Sequence, residues 1–252
     1  MKEPTKVLIF ATAEGVADYA AGTLSAACEE KGRGKISVAL AGGSTPALLY
    51  RKLAHFREIP WKRIEIFFGD ERARPPDHEE SNYRLALENL LSRVSVPREQ
   101  VHRMEGEGDD LEAAARLYEE KIRELVPPGG DGRPAFDLIW LGVGEDGHTA
   151  SLFPGTKALE ETERLVAPNE VPALSTRRLT FTLPLLNAAR RVQFLAVGAK
   201  KAPVLRRIVG HGSDEAADAA LPAARVDPPC GVLEWVLDRE AAMQIQDPGL
   251  IA

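Results

Sequence analysis

Only two cysteines, Cys28 and Cys230, occur among 252 residues, and they form neither a CxxC pair nor a metal-ligand spacing. With no secretory context, they read as reduced and partly buried, not as a disulfide framework. Long apolar runs are also missing. The stretch at 7–10, Val-Leu-Ile-Phe, is too short for a signal core or a membrane span, so it reads as a first strand. The chain is accordingly read as cytoplasmic, with no membrane partner. An excess of positive charge is lacking too. The formal net charge of −6 argues against general nucleic-acid affinity. An anionic ligand would need a local cluster of Arg, Lys and backbone N–H groups working against the overall field.

What is present is ordinary globular composition, with 44% apolar and 28% charged residues. Short apolar runs at 7–10, Ile36–Leu40, Ile64–Phe68, 137–141 and 192–197, and an alternating stretch at 178–183, read as strands. Between them, 14–30, 46–54, 83–91, 112–125 and 201–209 carry helical patterns, with Ser81 or Asn82 available to cap the third. Strands apolar throughout and separated by helices imply an α/β fold with a mostly parallel sheet covered on both faces. The Pro/Gly breaks are no longer than loops, so residues 1–252 read as one domain. Residues 210–229 read as a surface excursion.

Two strand ends carry chemistry. Ile36–Leu40 runs into Ala41-Gly42-Gly43-Ser44-Thr45-Pro46, where paired glycines allow a sharp turn and close backbone approach. Thr45 suits an N-cap and Pro46 a first helical position, giving donors at a helix N-terminus where an anion is favoured. The same residues also suit a plain strand-to-helix turn. The Gly-Lys-Ser/Thr ending of a nucleotide-hydrolysing loop is absent.

The stretch Gly142-Val143-Gly144-Glu145-Asp146-Gly147 spells GxGxxG after a strand, but it opens no helix before Pro154 and lacks a matching acidic residue further on. Dinucleotide binding is therefore not expected. What the loop offers is Asp146 and His148 at the C-terminal end of a strand, where open parallel sheets bind ligands. Imidazole, with an ordinary pKa of about 6.5, suits proton transfer near neutrality. A polar turn in which His148 bonds a carbonyl remains the alternative.

Gly69-Asp70-Glu71-Arg72 lies at another strand end, where an acidic pair taken alone reads more readily as a surface turn. Asp77-His78-Glu79-Glu80 has metal-capable groups without a ligand spacing and reads as a solvated loop. Lys200-Lys201 begins a helix, where cations are unfavourable unless an anion is near. Arg177-Arg178 is a second basic pair, for the same anion or for an exposed rim.

These pieces together, with Ser81-Asn82-Tyr83, Arg178-Leu179-Thr180 and Gly198-Ala199-Lys200-Lys201-Ala202, resemble the glucosamine-6-phosphate isomerase/6-phosphogluconolactonase family over nearly the whole chain. The resemblance implies a Rossmann-like three-layer fold. It implies hydrolysis of 6-phospho-D-glucono-1,5-lactone to 6-phospho-D-gluconate in the oxidative pentose phosphate pathway, with no metal or organic cofactor. The expected ligand is a small-molecule sugar-phosphate lactone, and the protein itself is expected to be a monomer or small homo-oligomer. Substrate-binding roles fall on Gly42, Gly43, Ser44, Thr45, Asp70, Arg72, Arg178 and Lys201, with Arg177 and Lys200 as near alternatives for the phosphate.

His148 is the expected base and Asp146 its orienting partner, with Glu145 as the alternative. Loop N–H groups around residues 144–148 and Arg72 are candidates for the developing oxyanion. The deaminase branch carries Asp-Glu-Tyr where this chain has Asp70-Glu71-Arg72. It also carries a glutamate at the position of Phe153, which cannot transfer a proton. Both departures point to the lactonase branch.

Overall fold

In the computed structural model, which describes residues 5–56, 58–210 and 220–245, six strands form one all-parallel sheet. These are β1 (Lys6–Phe10), β2 (Ile36–Leu40), β3 (Ile64–Phe68), β5 (Leu138–Leu141), β8 (Arg191–Ala196) and β9 (Val232–Asp238), in the order β1-β9-β8-β5-β2-β3. Successive side chains along each strand serve opposite faces. Val38 and Leu40, Ile64, Ile66 and Phe68, and Leu138 and Trp140 enter one core; Ala39, Phe67, Ile139 and Leu141 enter the other. Both faces are therefore largely apolar, which is why β2, β3 and β5 read as hydrophobic runs, broken only by Ser37 in β2 and Glu65 in β3.

The first core is closed by the helices α1 (Ala13–Glu30) and α2 (Ser44–Leu53). The second is closed by α4 (Leu111–Leu125), α5 (Leu183–Ala188) and α6 (Ala202–Ile208), which gives three layers. A short α3 (Asn82–Ala86), capped by the Ser81 hydroxyl, continues as a π-turn through Leu87–Leu91. No helix among the described residues is long and apolar enough to cross a membrane.

A second, antiparallel sheet is formed by β4 (Asp70–Arg72), β7 (Thr176–Phe181) and β6 (Val166–Val171), in that order. Gly69 is the transfer point. Its N–H donates to the Leu40 carbonyl in the main sheet, and its carbonyl accepts from Phe181 N in the other. Pro168 is tolerated because β6 is an edge strand.

Several sequence expectations shift. The second helix starts at Ser44 with Gly43 as its cap, so Thr45 and Pro46 sit inside the first turn. Gly43, at φ +107, provides the turn into the helix that a side-chain cap was expected to make. The strand expected at 178–183 spans Thr176–Phe181, and Leu183 already belongs to α5. Cys28 is buried but Cys230 is exposed, because it lies in the turn before β9. The excursion expected at 210–229 lies partly outside the described residues; within it, Pro222–Arg225 forms a 3-10 turn.

One buried carboxylate makes the fold sensitive to acid. Glu65 on β3 accepts from His102 Nε2 at 2.7 Å and pairs with Lys35. Burial alone would raise its pKa, but the bonds from His102 and Lys35 outweigh it, and the group sits below the ordinary glutamate value. A depressed folded-state pKa contributes stability that is complete above the unfolded value and is lost as pH falls through the folded one. Glu65→Gln should therefore flatten the fall in urea midpoint between about pH 6 and about pH 3, where carboxylates titrate. Parallel curves for variant and wild type would overturn this account.

Candidate active site

A cavity of about 210 Å³ opens at the C-terminal ends of β2, β3 and β5. Its wall includes Gly42, Gly43, Asp70, Arg72, His148, Arg178 and Lys201. Of the two basic pairs, Arg178 and Lys201 face this cavity. Arg177 reaches the Asp109 carbonyl at 3.4 Å and lines a separate groove, and Lys200 is exposed. Ser44 and Thr45 are not part of the wall; they follow Gly43 in the first turn of α2. That turn has no side-chain cap, so its leading N–H groups look to a partner outside the helix.

The glycine loop after β5 closes on itself instead of opening a helix. Gly144 N donates to the His148 carbonyl at 2.8 Å, and Gly147 N to the Gly144 carbonyl at 3.0 Å. His148 Nδ1 lies 2.6 Å from Asp146 Oδ1, which also accepts from His148 N at 3.1 Å. An ionised carboxylate can only accept, so Nδ1 is the donor of this bond, which leaves the lone pair of the neutral imidazole on Nε2. Glu145 shares no hydrogen bond with the imidazole; the partner is Asp146. A Cβ on Gly144 would stand 2.1 Å from His148 Nδ1 and 2.4 Å from Asp146 Oδ1. Gly144 thus leaves the space in which the pair forms.

Asp70 and Glu71 are not a surface turn, because both are buried in β4. Asp70 Oδ1 accepts from Asn82 Nδ2 at 3.0 Å, and Oδ2 from Ser151 Oγ at 2.6 Å. Glu71 accepts from Arg72 N, Asn82 N and Tyr83 N, each at 2.8 Å, and from Ser81 Oγ at 3.0 Å. Its pKa is nonetheless raised, first by burial, with Asp70 adding repulsion and the N–H donors opposing both.

The next residue, Arg72, pairs in register with Arg178 across β4 and β7. Each Nε is buried without a partner. Burial and the Arg72 charge lower the Arg178 pKa, opposed by Asp70, Glu80 and Glu71. Like charges placed opposite each other on neighbouring strands are unfavourable. Arg72 Nη1 donates to the Glu80 carbonyl and Arg178 Nη1 lies 3.5 Å from Ser151 Oγ, so two incompletely satisfied cations share one wall of the cavity.

Several site residues escaped the sequence argument. Asn82 was read only as a possible helix cap, and Ser151 received no role. Asn169, whose Nδ2 donates to the Ser151 carbonyl at 2.8 Å, lies on β6, a strand whose Pro and Asn conceal it. The Asp77–Glu80 segment is a partly exposed loop. Among the described residues, no three His, Cys, Asp or Glu side chains converge as a metal site.

Comparison with known proteins identifies relatives over most of the chain. Residues 10–235 match the family described as glucosamine-6-phosphate isomerases/6-phosphogluconolactonase. A 6-phosphogluconolactonase of Rattus norvegicus is 43% identical over 229 residues, covering 89% of this chain and 86% of its own. The Homo sapiens 6-phosphogluconolactonase is 42% identical with the same coverage of each chain. The solved 6-phosphogluconolactonase of Trypanosoma brucei superposes with a TM-score of 0.86 at 28% identity, covering 98% of this chain and all of that one.

The buried Glu71 holds the frame on which Arg72 sits. Glu71→Ala leaves three N–H groups and a hydroxyl without their acceptor, and unpaired buried donors cost about 1–3 kcal/mol each before relaxation. Urea unfolding should show a loss of about 3 kcal/mol. A loss under about 1 kcal/mol would mean that water replaces the carboxylate.

Proposed function

The chain belongs to the glucosamine-6-phosphate isomerase/6-phosphogluconolactonase family, and from that premise we propose how it hydrolyses 6-phospho-D-glucono-1,5-lactone to 6-phospho-D-gluconate, in the oxidative pentose phosphate pathway. The observation that carries this reading is the Asp146–His148 pair facing the same cavity as Arg72, Arg178 and Lys201.

In this reading the substrate phosphate lies against Arg178 and Lys201 and the donors of the Gly43-Ser44-Thr45 turn. Charge-assisted bonds to a guanidinium are about twice as strong as neutral ones, and the orphaned Nε of Arg178 gains a partner. The lactone C1 then sits near His148. Nε2 takes a proton from water as its oxygen attacks C1, and Asp146 stabilises the imidazolium that forms. Arg72 and loop N–H groups around residues 144–148 receive the negative charge on the former carbonyl oxygen. Collapse of the tetrahedral intermediate breaks the bond from C1 to the ring oxygen. That oxygen recovers the proton from His148, leaving the open-chain acid.

Phe153, packed against His148, offers no proton for opening a sugar ring. This favours a lactone, already at the acyl oxidation level, over an amino-sugar phosphate. Residues 1–252 act as one catalytic domain in this reading, as a monomer or small homo-oligomer. A phosphorylated sugar does not cross membranes unaided, which supports a cytoplasmic location. The net charge of −6 supports the absence of a nucleic-acid partner.

The decisive assay follows loss of freshly prepared 6-phosphogluconolactone. His148→Ala should lower kcat/KM by about 10²–10⁴-fold, the usual contribution of a positioned base. A variant within about threefold of wild type would remove His148 from that role, since a positioned base contributes far more. The phosphate assignment is tested separately. Arg178→Ala and Lys201→Ala should each raise KM about 10- to 100-fold, as loss of a charge-assisted bond implies. Arg177→Ala and Lys200→Ala should stay within about twofold, as surface charges do. Equal effects from both sets would overturn it.

A further inference from the structure

Phe153 is buried, at 6% exposure, yet it is the only buried aromatic side chain among the described residues outside both hydrophobic cores. Its neighbours belong to the active site instead. The His148 ring is stacked on it, with centroids 4.1 Å apart and planes inclined by 23°. The Arg178 guanidinium carbon lies 5.7 Å from the same ring centroid. The adjacent Leu152 packs in the core and bonds Thr149 through both backbone groups, so the turn that carries Phe153 is anchored.

The imidazole needs such a neighbour. Its one side-chain hydrogen bond is to Asp146, and the two side chains are 31% and 51% exposed. A pair that open to water is weak by itself and leaves the ring free to rock about the Nδ1 contact. An aromatic face fixes the ring plane, and stacked pairs prefer a limited set of geometries.

We infer that Phe153 is the positioning residue of His148, and that its ring ties the orientation of the base to the cation Arg178. The inference rests on the reading of His148 as the base. Phe153 touches no reacting atom; it sets the direction in which Nε2 points. Anion binding at Arg178 acts on the same ring, so the occupied cation site and the aligned base share one support.

Phe153→Leu keeps apolar bulk and removes the flat face. The expected result is a fall in kcat of about tenfold, with a smaller change in KM, because misalignment of a reacting group is a kcat effect. Nitrogen-15 NMR of the His148 ring reads its tautomer, and so whether Nδ1 stays on Asp146, without substrate. Wild type should show one Nδ1–H tautomer and Phe153→Leu a mixture. Phe153→Tyr, which keeps the face, should restore the single tautomer and most of kcat. If Phe153→Leu melts below the assay temperature, Phe153→Met is read in the same way.

Wild-type kcat with an unchanged tautomer in Phe153→Leu would overturn this inference. So would a fall in kcat without a tautomer change, since that is general packing damage. If His148→Ala is inactive in either case, the reading of His148 as the base still stands. Full activity in His148→Ala would remove both.

Discussion

The Asp70 carboxylate is the interaction on which the site's geometry depends. One oxygen holds Asn82 and the other holds Ser151. Asn82 in turn fills the space beside Gly42, where a Cβ would come within 2.0 Å of its Oδ1. Ser151 belongs to the turn that follows His148, and Asn169 grips its carbonyl from β6. Three segments far apart in sequence, the glycine turn after β2, the helix start at Asn82 and the histidine loop after β5, are thereby joined at one buried group. Both oxygens are bonded to uncharged donors, and Arg178 and Arg72 supply positive potential nearby. Burial of the charge is tolerable only with such a complete set of partners.

The same strand explains why an anion is favoured in a protein of net charge −6. Main-sheet strand β3 ends at Phe68, and Gly69 passes the chain into the antiparallel sheet, which places Arg72 opposite Arg178. Neither guanidinium is fully satisfied. The buried acids Asp70 and Glu71 make the juxtaposition bearable without neutralising it, since their oxygens are engaged elsewhere. The fold thus maintains a local positive potential by geometry, independent of the overall charge.

Much of this was legible in the sequence for identifiable reasons. The parallel sheet could be read because doubly covered strands are mostly apolar on both faces, as in Ile36–Leu40 and Ile64–Phe68, each with a single polar residue. Asp146 and His148 could be read because their contact is local, two residues apart. The antiparallel sheet could not. Its strand Asp70–Arg72 is polar, and Val166–Val171 contains Pro and Asn, so neither carries an apolar run or a clean alternation. Only the family resemblance favoured Arg178 over Arg177, because neighbouring strand residues face opposite ways and pairing with β4 decides which enters the cavity. The cap at Gly43 was missed because the backbone makes the turn there, at φ +107, without any side-chain bond.

In the proposed mechanism water must reach the base, and His148 and Asp146 are the open part of an otherwise buried frame. Exposure weakens each bond they make. Their alignment must then come from groups that water does not reach. Gly144 lets the pair form, and Phe153 limits the ring plane. Ser151, bonded to Asp70, and Leu152, packed in the core, fix the turn between them. Ala150, at φ +47, is a non-glycine residue held in the left-handed region within that turn. Such a conformation costs of order 1–3 kcal/mol and persists only where surrounding contacts over-determine it. Here those contacts are Ser151 on Asp70 and Leu152 in the core, on the side of the turn away from water. The Asp146–His148 pair therefore remains both accessible and ordered because its constraint is applied from behind.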